Sequence, residues 1–414
     1  MENKELLDSI VDYYLTSHDF NGLPLVSLDG YNANDLEDLI REGMVEAVSF
    51  DDCLNPYIRR FDFQITVEIQ IRNTRQKGVD EVVLFPTKKA LSSTVVDPTN
   101  PYSSELKRGE AQLKMIFFDP QTIVMYITNP KYINIFYGHR GYLSMREEYY
   151  DPEKDKGELV GDYAIAYKYG DKPERAIGVS LRELGNLSSR QQMRWKSFEL
   201  PEQSNYVVNK RYAREMFNGE WSNEVWIFDA LLEDMVTINV LCEAIGIPPM
   251  FFKTYSSTDE ERPMGYITLL VPTKRYFYEF IVSLEKLLIS NLNPETFTAS
   301  GPHVRPVSLY DSNEKKKGTL VLLSEWMTAN TIPKDNVEEF IVDPLREIRK
   351  LRQLPAHRLD VDEYNLDYIT KQADVIKAAY TAIGVVRLRL SKHPNCREII
   401  LPMSKVDLNN IIAY

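Results

Sequence analysis

Apolar residues recur at helical spacing near the start of the chain. Leu6, Leu7, Ile10, Val11, Tyr14 and Leu15 do so over residues 5–16, and Leu36, Leu39, Ile40, Met44 and Val48 over 33–48. The period then changes. Phe61, Phe63, Ile65, Val67, Ile69 and Ile71 alternate with Asp62, Gln64, Thr66, Glu68, Gln70 and Arg72. A two-residue period predicts a strand with one face buried and one wet. Further β-type runs follow at 82–85, 113–118, 122–127, 132–137 and 163–169, punctuated by Gly, Pro, Asn and Asp as hairpin connections require. Residues 55–180 read as antiparallel sheet, interrupted by the polar loop Asp151-Pro152-Glu153-Lys154-Asp155-Lys156-Gly157.

From about Asn209 the pattern is mainly helical. Residues 222–245 carry a long apolar period, and Phe277, Phe280, Ile281, Leu284, Leu287 and Leu288 mark another helix. Two β-type runs interrupt, at 266–271 and 319–323, the second after a turn at 313–318. Ile369, Ile376, Tyr380, Ile383, Val386 and Leu390 mark a last helix from about 362 to 392. The pattern predicts an α+β chain: an acidic helical lead (1–54), an antiparallel β-rich domain (55–205) and a mainly α-helical C-terminal domain (206–414).

Composition sharpens this reading at three points. Hydrophobic residues make up 43% and charged residues 27% of the 414, which excludes a disordered chain or a fibre. No apolar run reaches the ~18 residues of a membrane span, and the start of the sequence shows no secretory signal. Cys53, Cys242 and Cys396 are far apart, without CxxC or Cys/His zinc spacing. The expectation is a soluble cytoplasmic protein with no membrane partner, no cofactor and no metal. The net charge of -12 is uneven: residues 1–53 hold 13 acidic side chains against Lys4 and Arg41, leaving the rest of the chain near neutral. Such a lead would repel nucleic acid or cover a basic surface, unless it is simply a solvated face.

Chemistry concentrates near the end, in Asp343-Pro344-Leu345-Arg346-Glu347-Ile348-Arg349-Lys350-Leu351-Arg352-Gln353-Leu354-Pro355-Ala356-His357-Arg358. Asp then Pro predicts a helix opening, and Pro355 a break. Leu345 and Ile348 define an apolar face. At about 100° per residue Arg352 lies roughly 20° from Leu345, so its guanidinium is aimed at the core or a partner. Arg346 and Lys350 fall on the solvent flank. In an unbroken helix His357 would stand about 140° from Arg352; a break at Pro355 allows the imidazole to swing back.

The run Arg352-Gln353-Leu354-Pro355-Ala356-His357 resembles the Arg, polar residue, three residues, His motif of HEPN-domain ribonucleases. The resemblance covers about residues 209–414. The usual Asn after the Arg is Gln353 here, Pro355 interrupts the motif, and two β-type runs intrude on a helical bundle. The resemblance implies a metal-independent endoribonuclease of anti-phage defence or toxin-type conflict, with the β-rich domain as sensor or regulator. It implies a homodimer that pairs two motifs, and RNA as the partner. Arg352 and His357 would be catalytic, with Arg346, Arg349, Lys350, Gln353 and Arg358 binding substrate. RNA carries its own nucleophile, the 2′-hydroxyl. A His can move its proton, and an Arg can grip the phosphate with a planar fork. The alternative is a non-catalytic nucleic-acid-binding or protein-interaction module in which Arg352 and His357 are structural.

Other candidates are weaker. Glu105-Leu106-Lys107 with Asp97 upstream has the spacing of a metal-dependent nuclease but a turn-like setting. Tyr137-Gly138-His139-Arg140-Gly141-Tyr142 suits base stacking, and more simply a hairpin loop. Trp195 and Phe198, within Gln191-Gln192-Met193-Arg194-Trp195-Lys196-Ser197-Phe198, read as packing residues. No phosphate loop, HExxH or GxSxG motif is present.

Overall fold

Helices begin where short polar side chains meet free main-chain donors. Asn32 accepts from the N–H of Asn34, Thr66 from Ile69 and Ser188 from Gln191, opening three helices of the first half of the chain. Elsewhere glycine ends them: Gly219 and Gly246 stand at φ +67° and +86°, a conformation that a side chain disfavours. The computed structural model describes residues 3–170, 174–256, 262–263, 265–353, 361–397, 399 and 411–412. It divides into two units, Met1–Asn134 with His139–Trp221, and Ile135–Gly138 with Ser222–Tyr414. The class is α+β, with antiparallel sheet in the first part and helices in the second.

The first unit opens with α1 (Asn3–Thr16), β1 (Leu23–Pro24), α2 (Ala33–Arg41), β2 (Val45–Ser49), α3 (Val67–Gln76) and β3 (Val82–Pro86). The strands form an antiparallel sheet in the order β1-β3-β2, with Ala47 opposite Leu84. Leu6 and Ile10 of α1, Leu36 and Ile40 of α2 and Ile71 of α3 close a core on it. Then come α4 (Pro101–Lys107), β4 (Met115–Phe118), α5 (Gln121–Ile127), β5 (Tyr132–Phe136), β6 (Arg140–Met145), β7 (Asp162–Lys168) and β8 (Arg175–Ser180). They are followed by α6 (Leu181–Gly185), α7 (Ser189–Lys196), β9 (Tyr206–Val208) and α8 (Lys210–Asn218). The second sheet runs β4-β8-β7-β6-β5, and β9 pairs with β7.

Several acidic residues of the lead pair within this unit. Asp19 pairs with Arg182 (2.9 Å), Glu37 with Arg75 (2.5 Å), Glu46 with the buried Arg59 (2.8 Å), and Asp51 with Lys77.

The second unit comprises β10 (Val225–Trp226), α9 (Ile227–Ile245), α10 (Lys274–Glu285), α11 (Pro294–Thr298), α12 (Thr319–Asn330), α13 (Asp343–Gln353), α14 (Asp367–Leu390) and β11 (Ile411–Ile412). α9 lies along α14, with buried Asp234 and Arg387 paired at 2.7 Å between them. Trp226 stacks on Phe228, ring centres 4.2 Å apart. Two π-helical segments extend these helices: Lys286–Ser290 continues α10, and Glu338–Val342 leads into α13.

Several expected elements are corrected. The alternation over 61–72 ends at Thr66, and the chain then turns helical in α3. Residues 122–127 lie in α5 and 319–323 in α12, where Leu320, Leu322, Leu323, Trp326 and Met327 are buried. A short apolar run has no period of its own to separate strand from buried helix. Among the described residues, 266–271 forms no strand; the side chain of Gln372 bonds to its main chain at Leu269 N–H (2.7 Å) and Ile267 O (3.0 Å). Residues 33–48 split into α2 and β2.

Candidate functional site

α13 positions the arginines named from the sequence. Leu345 and Ile348 are buried, as their spacing predicts, and Arg352 shares their stripe. Asp343 does not open the helix: the π-helical segment runs straight into it, and the Asp343 N–H bonds to Glu338 O, five residues back. Pro344 thus falls where the ladder changes register, a place where its missing N–H is tolerated.

The partner of Arg352 is Glu285, the last residue of α10. Its carboxylate is 0% exposed, accepts from Arg352 Nη1 at 2.7 Å and from Ser290 Oγ at 3.0 Å, and lies 3.6 Å from Arg349 Nε. Arg349 and Arg352, three residues apart, share one face and converge on one carboxylate. One negative charge therefore faces two positive ones. The arginine side chains keep 40% and 41% of their surface in solvent, so guanidinium N–H groups stay available to an anion. The π-helical segment Lys286–Ser290 begins directly after Glu285, beside the pair, a feature frequent at functional sites.

The other named residues fare differently. Arg346 is engaged by Glu338 and by Asp343 (2.9 Å), and Lys350 by Glu347 (3.4 Å). Gln353 is exposed at the end of α13. His357 and Arg358, with Pro355, lie outside the described residues. The structure thus brings Arg349 and Arg352 together and adds Glu285, which sequence reasoning missed. The available signal was a carboxylate set between Leu284, Leu287 and Leu288.

The remaining candidates resolve into packing. His139 is buried with its Nε2 2.8 Å from Glu215 Oε2, and Arg140 pairs with Asp162 at 3.1 Å beneath the Tyr142 ring. Burial raises the Glu215 carboxyl, but bonds to Arg211 and His139 outweigh it and hold the group below its usual range. Burial dominates at Asp162, which stays above its usual range despite Arg140. Trp195 is fully buried, edge-on to Phe118. Glu105 sits on α4 and pairs with Lys114, while Asp97 caps a turn at Thr99.

Among the described residues no helix is long and apolar enough to cross a membrane, and no group of three or more His, Cys, Asp or Glu gathers as metal ligands. No family model, curated protein or solved structure matches the chain.

Proposed function

We propose that the protein is an endoribonuclease of the HEPN type that works without a metal ion, with Arg352 and His357 as its catalytic pair. The observation that supports this reading is the doubled guanidinium on Glu285. Arg352 is pre-aimed by a buried carboxylate, Arg349 stands beside it, and both keep N–H groups in solvent. A phosphodiester would take those N–H groups as its oxygens gain charge. The 2′-oxygen would form a bond to the adjacent phosphorus as the P–O5′ bond breaks, leaving a cyclic phosphate and a 5′-hydroxyl. His357 would take the 2′-proton, or protonate the departing O5′. The homodimer, the cytoplasmic setting in anti-phage defence or toxin-type conflict, and the regulatory role of the β-rich part follow from the resemblance.

One observation favours the second reading, a non-catalytic nucleic-acid-binding or protein-interaction module: the ion pair with Glu285 also serves as a simple clamp between α10 and α13. Cleavage of RNA by the purified full chain in EDTA separates the two. The proposal expects cleavage in chelator, none of an all-deoxy strand, and loss in His357→Ala with an unchanged melting temperature. Full activity in that variant would remove the acid–base role.

A further inference from the structure

Among the described residues, the segment with the clearest strand period in the sequence has no strand partner. Asp62 to Ile65 alternate in burial, Phe63 and Ile65 partly covered, Asp62 and Gln64 exposed, as an extended chain does. Phe63 packs 5.5 Å from Phe85 in the core, while Phe61 leans on Phe217 and remains 59% exposed. Among the described residues, no main-chain N–H of residues 61–65 donates a hydrogen bond, and of their carbonyls only that of Ile65 accepts one, from Gln70. The segment lines an open cleft of about 620 Å³ with Asp52, Cys53 and Ile58. Phe50 and Leu54, in the chain that leads into it, are exposed as well. Unmet backbone groups in an extended, apolar-flanked segment are a template for another strand.

We propose that residues 61–65 pair with the same residues of a second copy of this chain, as an antiparallel ladder whose two-fold axis passes through Phe63. The sequence about that centre is self-complementary. Phe61 falls opposite the partner's Ile65, and Asp62 opposite the partner's Gln64, an amide that donates to the carboxylate. Other centres fit worse. An axis through Asp62 sets like charges opposite each other. An axis through Gln64 recruits Thr66, whose carbonyl already accepts the Gln70 N–H in opening α3. A two-fold contact uses one patch twice, so the apolar side chains of Phe61 and its neighbours are covered on both copies at once. Nothing in this pairing depends on the ribonuclease reading, or on a dimer formed through the helical unit.

Sedimentation of the full chain over a concentration series tests it. The wild type is expected to dimerise reversibly. Gln64→Asp sets a carboxylate opposite Asp62 in both symmetry-related pairs and should weaken the dimer about tenfold. Asp62→Lys together with Gln64→Asp replaces repulsion by attraction and should bring the dimer back to within about threefold of wild type. Both positions are exposed, and Asp62→Lys gives up only a long, solvent-exposed pair with Lys88 (3.4 Å), so the fold should tolerate the changes, which a melting curve of each variant checks. Hydrogen exchange of the wild type gives a second readout that needs no variant: the amides of 61–65 should slow as concentration rises. A monomer at every concentration, a dimer indifferent to Gln64→Asp, a failed rescue by the double change, or exchange independent of concentration would each overturn the proposal.

Discussion

Removing Arg352 should cost the protein more than removing the charge it pairs with. In Arg352→Ala, the Glu285 carboxylate stays where it is, fully buried. It keeps the Ser290 hydroxyl at 3.0 Å and the long contact to Arg349 at 3.6 Å. Breaking a buried pair from one side costs about 3–5 kcal/mol because a buried charge is left behind. Here Arg349 can close in, so about 2–3 kcal/mol is the expected loss. Glu285→Gln is the milder change. It keeps the shape and an acceptor, and two arginines that already hold 40% and 41% of their surface in water can rehydrate. About 1 kcal/mol is expected, in the range of a solvent-accessible pair.

Urea denaturation of the full chain, with hydrogen exchange of α10 and α13 as the local reporter, measures both losses. A cost below about 1 kcal/mol for Arg352→Ala, or a larger cost for Glu285→Gln, would show that Glu285 is not left as an unpaired buried charge. Replacing both partners, Arg352→Met with Glu285→Leu, should return stability to within about 1 kcal/mol of wild type, since no charge is then buried. That double variant also separates structure from chemistry. If it folds normally and no longer cleaves RNA, Arg352 does more than clamp two helices.

Two further outcomes follow from buried polar groups. Burial pushes the Asp229 carboxyl up to about 7, against the Arg262 guanidinium 3.7 Å away and with Glu233 adding to the rise. The folded chain therefore holds a proton that the unfolded chain loses above about pH 4. Stability from this group is full below that pH and is lost as pH rises towards 7. Asp229→Asn should raise stability by about 2–4 kcal/mol at pH 8 and leave it unchanged at pH 4, read from melting curves in both buffers. Gln192 accepts from the main-chain N–H groups of Tyr102 (3.1 Å) and Ser103 (3.2 Å) at the start of α4. Gln192→Leu should cost about 2–3 kcal/mol in urea, and a loss under about 1 kcal/mol would show those donors find other partners.

Local spacing carried part of the candidate site. The inward aim of Arg352 was legible because residues seven apart on a helix share a stripe, and Leu345 fixes which stripe is buried. Glu285 was not legible as its partner. It lies 67 residues away on another helix, and nothing in local periodicity pairs two helices. The start of α13 misled for a different reason. Asp-Pro has the same local chemistry whether it opens a helix or sits at a change of hydrogen-bond register, and the preceding π-helical segment decides between them. The lead helix α1 and the long helix α14 were legible because each buries one face at a helical period, and the strands β3 and β7 because each is a short apolar run buried on both faces between turn residues.

Two of the misread strands, 61–72 and 266–271, share a physical cause, and it lies in the glutamines. A primary amide offers one carbonyl and two N–H groups, so it can stand in for a peptide unit of a neighbouring strand. Gln70 accepts from Ala47 N–H at 2.9 Å and donates to Ile65 O at 3.0 Å, joining α3 to β2 where the alternation had predicted a strand. Gln112 accepts from Arg59 N–H and donates to Asp19 O. Gln203 bonds both main-chain groups of Phe117, and Gln372 serves Leu269 and Ile267 in the same way. Gln70, Gln112 and Gln372 are buried, although hydropathy scores them as wet. Irregular segments such as 266–271 thereby satisfy their backbone without a ladder. At 61–72 and 266–271 the period marks which side chains face inward, while a glutamine amide from elsewhere in the fold takes up main-chain groups that a ladder would otherwise bond. Residues 61–65 are the case where no amide supplies the missing partner beyond Gln70 at one end, and for that reason a second strand has somewhere to bind.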